Sequence, residues 1–127
     1  MSQSKIKVRT KTQSYNIIIG NNLIKNLSKI LKDSSMNFKK CLLVIDKKVP
    51  KKNLKNIFFL LKNKSRFTYF FNSSEINKSQ KTVNKLLDIL LKNNFHRNDC
   101  LISIGGGITG DVSSFAASIF KRGIKFI

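Results

Sequence analysis

With 127 residues, 41% of them hydrophobic and 24% charged, the chain is long enough for one packed core and too short for two. Its longest uncharged apolar runs, such as Ile57–Leu61, are far too short for a bilayer, and the basic start MSQSKIKVRT lacks a secretory signal's apolar stretch. A cytoplasmic chain with no membrane contact is therefore expected. The net charge of +19 comes from 21 lysines and four arginines against six carboxylates. The lysines are spread over every segment, and base readout and bidentate phosphate grip both favour arginine, so drift in an Asn-, Ile- and Lys-rich chain outweighs specific nucleic-acid binding.

In chain order, Lys5–Arg9 and Tyr15–Ile19 read as strands of an N-terminal hairpin. From Asn22 the period changes, and Leu23, Ile24, Leu27, Ile30 and Leu31 fall on one helical face. Cys41–Ile45 is a continuous apolar run, as in a strand buried on both sides of a parallel sheet. Pro50 suits a first helical position, and Leu54, Ile57, Phe58 and Leu61 stripe the helix after it. Arg66–Phe71 is an aromatic-rich strand. A polar loop, NSSEIN, precedes a helix carrying Val83, Leu86, Leu87, Leu90 and Leu91. Cys100–Ile104 is a second buried strand, followed by a glycine loop, a short helix from about Asp111 to Phe120, and a strand beginning at Ile124.

Strand and helix alternate from Cys41 onward, which predicts an α/β fold: a Rossmann-like parallel sheet flanked by helices, with the hairpin at its N-terminus. No linker or repeat marks a domain boundary. The last apolar run has no helix to cover it, so the chain reads as the front part of a longer α/β protein. Cys41 and Cys100 lack C-x-x-C spacing and read as buried free thiols. His96 reads as a solvated turn residue.

The stretch ISIGGGITGD (102–111) holds four of the six glycines. Asp111 stands where a phosphate-binding P-loop needs lysine. The usual dinucleotide fingerprint needs an acid about 20 residues beyond its glycines, and only 17 residues follow Gly110. Neither standard motif fits. A glycine loop between strand and helix can still leave amides free for an anion, or can be a plain turn with Asp111 capping the helix. Three of the six carboxylates, Asp46, Glu75 and Asp111, fall at or near predicted strand ends, where such sheets bind ligands. Glu75 with Lys78 one turn on suits ribose hydroxyls, or Ser73, Ser74 and Glu75 merely start a helix.

Together these residues resemble the 3-dehydroquinate synthase family. The 26-residue block ISIGGGITGDVSSFAASIFKRGIKFI is similar to its GGG-x-x-GD loop, F-A-A helix and R-G-x-x-F-I strand. NSSEINKSQKTV resembles its D-G-E-x-x-K-S loop, and SYNIIIGNNL its Y-x-I-x-I-G strand. The resemblance implies an N-terminal NAD-binding domain over residues 1–127, with NAD as cofactor. A divalent metal, zinc or cobalt, would be bound by a C-terminal domain, and the enzyme would be a homodimer. The implied reaction converts 3-deoxy-D-arabino-heptulosonate 7-phosphate to 3-dehydroquinate and phosphate, with transient NAD reduction. By position, Asp46, Glu75 and Lys78 would serve the adenosine-ribose side, Gly106, Gly107 and Ile108 the pyrophosphate, and Asp111 the nicotinamide end. Arg122 would hold substrate phosphate across the dimer. No catalytic residue or metal ligand is expected among these 127 residues, because the family's P-T-T-L-L segment and metal ligands lie beyond Ile127. Ser73-Ser74 replace the family's Asp-Gly, and Lys48 stands where an Asn is common. The alternatives are another sugar-phosphate cyclase of the inosose-synthase type, which tends to carry Asn at the Asp111 position, and a basic nucleic-acid-binding domain.

Overall fold

A computed structural model describes residues 3–127. These divide into a first compact unit up to Asn37 and a second of Phe38–Ile127. No proline- or glycine-rich linker marks the division in sequence.

The first unit pairs β1 (Ser4–Arg9) with β2 (Ser14–Ile19) antiparallel, Ile6 opposite Ile17 and Val8 opposite Tyr15. The turn is closed by Thr10, whose amide and hydroxyl both donate to the Gln13 carbonyl, at 2.8 and 3.0 Å. The single helix read from Asn22 is divided in the structure. A 3-10 turn, Leu23–Asn26, precedes helix α1 (Leu27–Asp33), and Asn22 sits in the left-handed region at φ 54. Neither start has a side-chain cap, so the local sequence does not favour a full α-helical beginning at residue 23. No described side chain of this unit reaches the buried class.

The second unit holds the core. A parallel sheet in the order β4-β3-β5-β6 is built from β3 (Lys40–Asp46), β4 (Ser65–Phe71), β5 (Cys100–Ile104) and β6 (Lys125–Phe126). Helix α2 (Lys51–Leu60) joins β3 to β4, α3 (Gln80–Lys92) joins β4 to β5, and α4 (Gly107–Ile119) leads toward β6. Every residue of β3 from Cys41 to Asp46 is buried, which explains its unbroken apolar run. Alternation along the strands sends Leu42, Val44, Phe71 and Leu101 to the face packed by Val83, Leu86 and Leu90 of α3 and Val112, Ala116 and Ala117 of α4. Leu54 and Ile57 of α2, with Leu61 just after it, are buried as well.

Two boundaries differ from the sequence reading. Pro50 is the residue before α2, extended at ψ 135, so helical geometry starts at Lys51. More important, α4 begins at Gly107, four residues before Asp111, and Gly106 is its N-cap. Of the four glycines read as a loop, Gly107 and Gly110 fall in the helix's first turn, while Gly105 and Gly106 precede it. Asp111 lies beyond that turn and is no cap.

Leu42, in the central strand, should be indispensable, whereas Phe59 on α2 is 65% exposed. Leu42→Ala should cost about 2–5 kcal/mol in urea unfolding, and Phe59→Ala within roughly 0.5 kcal/mol. Equal losses would contradict the packing described.

Candidate functional site

The chain direction fixes where a site can form. From β3 the chain moves to β4 on one side, then crosses α3 to β5 on the other side of β3. The order therefore reverses between β3 and β5, and the crevice at the carboxyl ends of those strands is where open α/β sheets take ligands. Asp46 ends β3 and Gly105 follows β5, so both stand at this reversal.

They stand in contact. A Cβ on Gly105 would lie 2.7 Å from the Asp46 Cβ and 2.9 Å from the Thr109 Oγ1. No side chain fits there. Gly106, Gly107 and Gly110 differ, since a Cβ on any of them would meet no atom within 4 Å. Gly110 lies inside α4, where alanine would favour the helix by about 1 kcal/mol. Internal packing therefore accounts for Gly105 and leaves the other three unexplained. Open space in front of a helix start is what close approach of a ligand's phosphate to backbone requires.

The α4 start is also electrically open. No side chain caps it, and its first intrahelical bond runs from the Gly110 amide to the Gly106 carbonyl at 3.0 Å. The amides of Gly107, Ile108 and Thr109 thus precede the helix ladder, at the positive end of the dipole. The Thr109 and Ser113 hydroxyls are buried and make no hydrogen bond among the described residues.

Asp46 is 7% exposed and already engaged. Its Oδ1 accepts from the Lys48 amide at 2.9 Å and its Oδ2 from the Ser73 hydroxyl at 2.6 Å. Burial opposes its charge, yet the Ser73 and Lys48 hydrogen bonds and the Lys48 ammonium outweigh that cost and hold the carboxyl below its ordinary range. Ser73 and Ser74, the departures from the family pattern, both have structural work. Ser73 ties the loop after β4 to β3, and the Ser74 hydroxyl accepts from the Asn77 amide at 3.4 Å.

Glu75 opens a single 3-10 turn (Glu75–Asn77) and is exposed. Lys78 follows it and reaches α4, its Nζ 2.9 Å from the Asp111 Oδ2. Hydrogen bonding to Asp111, the Asp111 charge and the Glu75 charge raise the Lys78 pKa against a small desolvation cost. The pair lines a groove floored by Val83, Val112 and Phe115. Arg122 is not brought to this site. It sits past the far end of α4, about 20 Å from Gly107 at 1.5 Å per residue. There Lys121 and Arg122 are both left-handed, at φ 46 and φ 65.

Residues 68–127 match the family model described as 3-dehydroquinate synthase N-terminal. Over all 127 residues the chain is 57% identical to the 3-dehydroquinate synthase of Pelagibacter ubique (strain HTCC1062). The chain is similar over its whole length to enzymes of that name. Across 98% of the chain it is 39% identical to the 3-dehydroquinate synthase of Francisella tularensis. It spans about a third of those relatives' own length, 34% in both cases. Among solved structures, the fold matches 2-deoxy-scyllo-inosose synthase complexed with carbaglucose-6-phosphate, NAD+ and Co2+, at TM-score 0.81 and 22% identity over 97% of this chain and 34% of that one. It also matches 2-epi-5-epi-valiolone synthase from Streptomyces hygroscopicus with NAD+ and Zn2+ bound, at TM-score 0.74 and 21% identity over 94% of this chain and 33% of that one. At those identities the match is one of fold, and it agrees with the parallel sheet and N-terminal hairpin read from the alternation of strands and helices.

Cys41 and Cys100 are free and buried, but they are also direct partners across β3 and β5, which their distance in sequence concealed. Burial pushes the Cys41 thiol up to about 11 and the Cys100 thiol higher still. His96 is exposed in a turn, its amide donating to the Asp99 Oδ2 at 2.7 Å. No group of three His, Cys, Asp or Glu among the described residues could hold a metal, and no helix among them is long and apolar enough to cross a membrane. Sequence reasoning gave no site role to Gly105 or Thr109, and noted Ser73 only as a departure from the family pattern. Only the first carried a signal, as the glycine immediately after a buried strand.

Two tests follow from this geometry. Gly105→Ala should destabilise by about 1–3 kcal/mol through overpacking, whereas Gly107→Ala should leave the melting temperature nearly unchanged. Similar losses in both variants would show that the first turn of α4 is packed, not open. Asp46, with its carboxyl depressed below 3.8, contributes stability above that pH and loses it as the pH falls through the folded value. Ser73→Ala should therefore cost about 1 kcal/mol at neutral pH. Its urea curve should converge with the parent's at low pH, and a pH-independent difference would contradict the assignment.

Proposed function

We propose that residues 1–127 form the NAD-binding part of a 3-dehydroquinate synthase. That enzyme converts 3-deoxy-D-arabino-heptulosonate 7-phosphate to 3-dehydroquinate and phosphate, in the cytoplasm and as a homodimer. Similarity over the whole chain to enzymes of that name supports the reaction. Proteins of the same fold solved with NAD+ support the cofactor. The observation that carries the cofactor assignment is local: three glycines at an uncapped helix start that internal packing does not need, placed at the sheet's reversal point.

In this proposal the amides of Gly106, Gly107 and Ile108 receive the pyrophosphate, with the α4 dipole favouring its charge. Glu75 and Lys78 face the adenosine ribose. Asp46 orders the same corner, where its carboxylate ties the β3 end to the loop carrying Glu75. Asp111 lies toward the nicotinamide end, and Arg122 serves substrate phosphate across a dimer interface. NAD, when bound, supplies a hydride acceptor that gives the hydride back later in the reaction. The described residues offer no ligand set for the divalent metal, which the proposal assigns to the part of the enzyme beyond this chain.

Calorimetric titration of the chain with NAD+ at 0.15 M salt tests the proposal. Binding is expected, and Gly107→Val should weaken it about tenfold or more, roughly 1.4 kcal/mol, with no loss of fold. A chain that ignores NAD+ but grips a short DNA duplex, with affinity falling steeply as salt rises, would overturn the proposal for nucleic-acid binding.

A further inference from the structure

Past the end of α4 the backbone is strained. Lys121 and Arg122 are consecutive left-handed residues at φ 46 and φ 65, and Gly123 follows at φ 111. Only the glycine takes such a φ without a steric penalty, so the two cationic residues need something to hold them there. The ends of the turn are fixed by the buried Phe120 and Ile124. The Gly123 amide donates to the Phe120 carbonyl at 2.8 Å, and the Ile124 amide to the Ala117 carbonyl at 2.9 Å.

The middle of the turn is tied by one side chain. The Lys121 Nζ donates to the Phe95 carbonyl at 2.8 Å, and Phe95 is itself fully buried. This anchor point is shared. Helix α3 ends at Lys92, and the Lys40 Nζ takes the Asn93 and Asn94 carbonyls just beyond it, at 2.8 and 3.0 Å. Two ammoniums thus take three consecutive carbonyls at the negative end of the α3 dipole, where cations are favoured. Arg122, the very next residue, is treated differently. It is exposed, and no ion pair or side-chain hydrogen bond engages it among the described residues.

We propose that Lys121 is a positioning residue for Arg122: its tie to the end of α3 holds the left-handed turn that leaves the guanidinium free for an incoming phosphate. The proposal rests on the reading of Arg122 as a ligand of substrate phosphate. A guanidinium grips phosphate through a rigid fork of donors, so its approach angle matters more than its charge alone. Strained backbone persists where the surroundings over-determine it, and such places cluster at ligand clamps.

Steady-state kinetics of the complete enzyme, arranged as a double-mutant cycle, test the assignment. Lys121→Met should raise the KM for the sugar-phosphate substrate about tenfold, with kcat changed less than about twofold. Lys121→Arg, which can still donate to the Phe95 carbonyl, should restore KM to within about twofold of the parent. In an Arg122→Met background, Lys121→Met should add less than about twofold, because the residue it positions is gone. Melting temperatures establish that each variant is folded, and Lys121→Gln replaces Lys121→Met if the latter is not.

Two results would overturn the positioning role while leaving the reading of Arg122 intact. One is a raised KM in Arg122→Met with none in Lys121→Met. The other is an equal rise from Lys121→Met in both backgrounds, which would mean that Lys121 supports the fold and not its neighbour. An unchanged KM in Arg122→Met would instead sink the reading of Arg122, and the role of Lys121 with it.

Discussion

The contact between Gly105 and Asp46 is the constraint on which the site depends. With 2.7 Å between a would-be Cβ and the Asp46 Cβ, only a glycine lets the chain leave β5 directly over the end of β3. That close passage brings the α4 start to the point where the sheet changes direction. It also leaves Asp46 room to accept from Lys48 and Ser73, which anchors the loop after β4 to the same corner. One steric fact thus aligns three segments that are remote in sequence.

The glycines then separate by function. Gly105 answers to packing inside the protein, while Gly106, Gly107 and Gly110 meet nothing. A helix that keeps a glycine where alanine would be more stable is accepting a cost to the fold. Such costs concentrate where a surface must admit a ligand. The net charge of +19 contributes little to this picture, because the electrostatics of the site come from backbone amides and from the paired Lys78 and Asp111.

Much of the fold was legible. The buried strands announced themselves as apolar runs at Cys41–Ile45 and Cys100–Ile104, and α3 as a regular apolar stripe, because burial on both faces or on one face leaves those signatures. The start of α4 was misread because glycine has poor helix propensity, and propensity yields to tertiary context. The N-terminal helix was misread in the opposite sense, since an apolar face does not supply the missing cap at Leu23. Pairings between distant residues were not legible. Nothing in the spelling joins Ser73 to Asp46, Lys78 to Asp111, or Cys41 to Cys100. Each follows from strand order and register, which emerge only when the sheet is assembled.

The central claim is that the uncapped amides of α4 receive the phosphates of a dinucleotide. Amide-resolved NMR of the isotopically labelled chain during NAD+ titration tests it most directly. The account predicts saturable shifts concentrated at Gly106, Gly107, Ile108 and Thr109, with smaller ones near Asp46 and Glu75. Saturable binding whose shifts avoid the α4 start, or shifts scattered over the lysine-bearing surface, would contradict it.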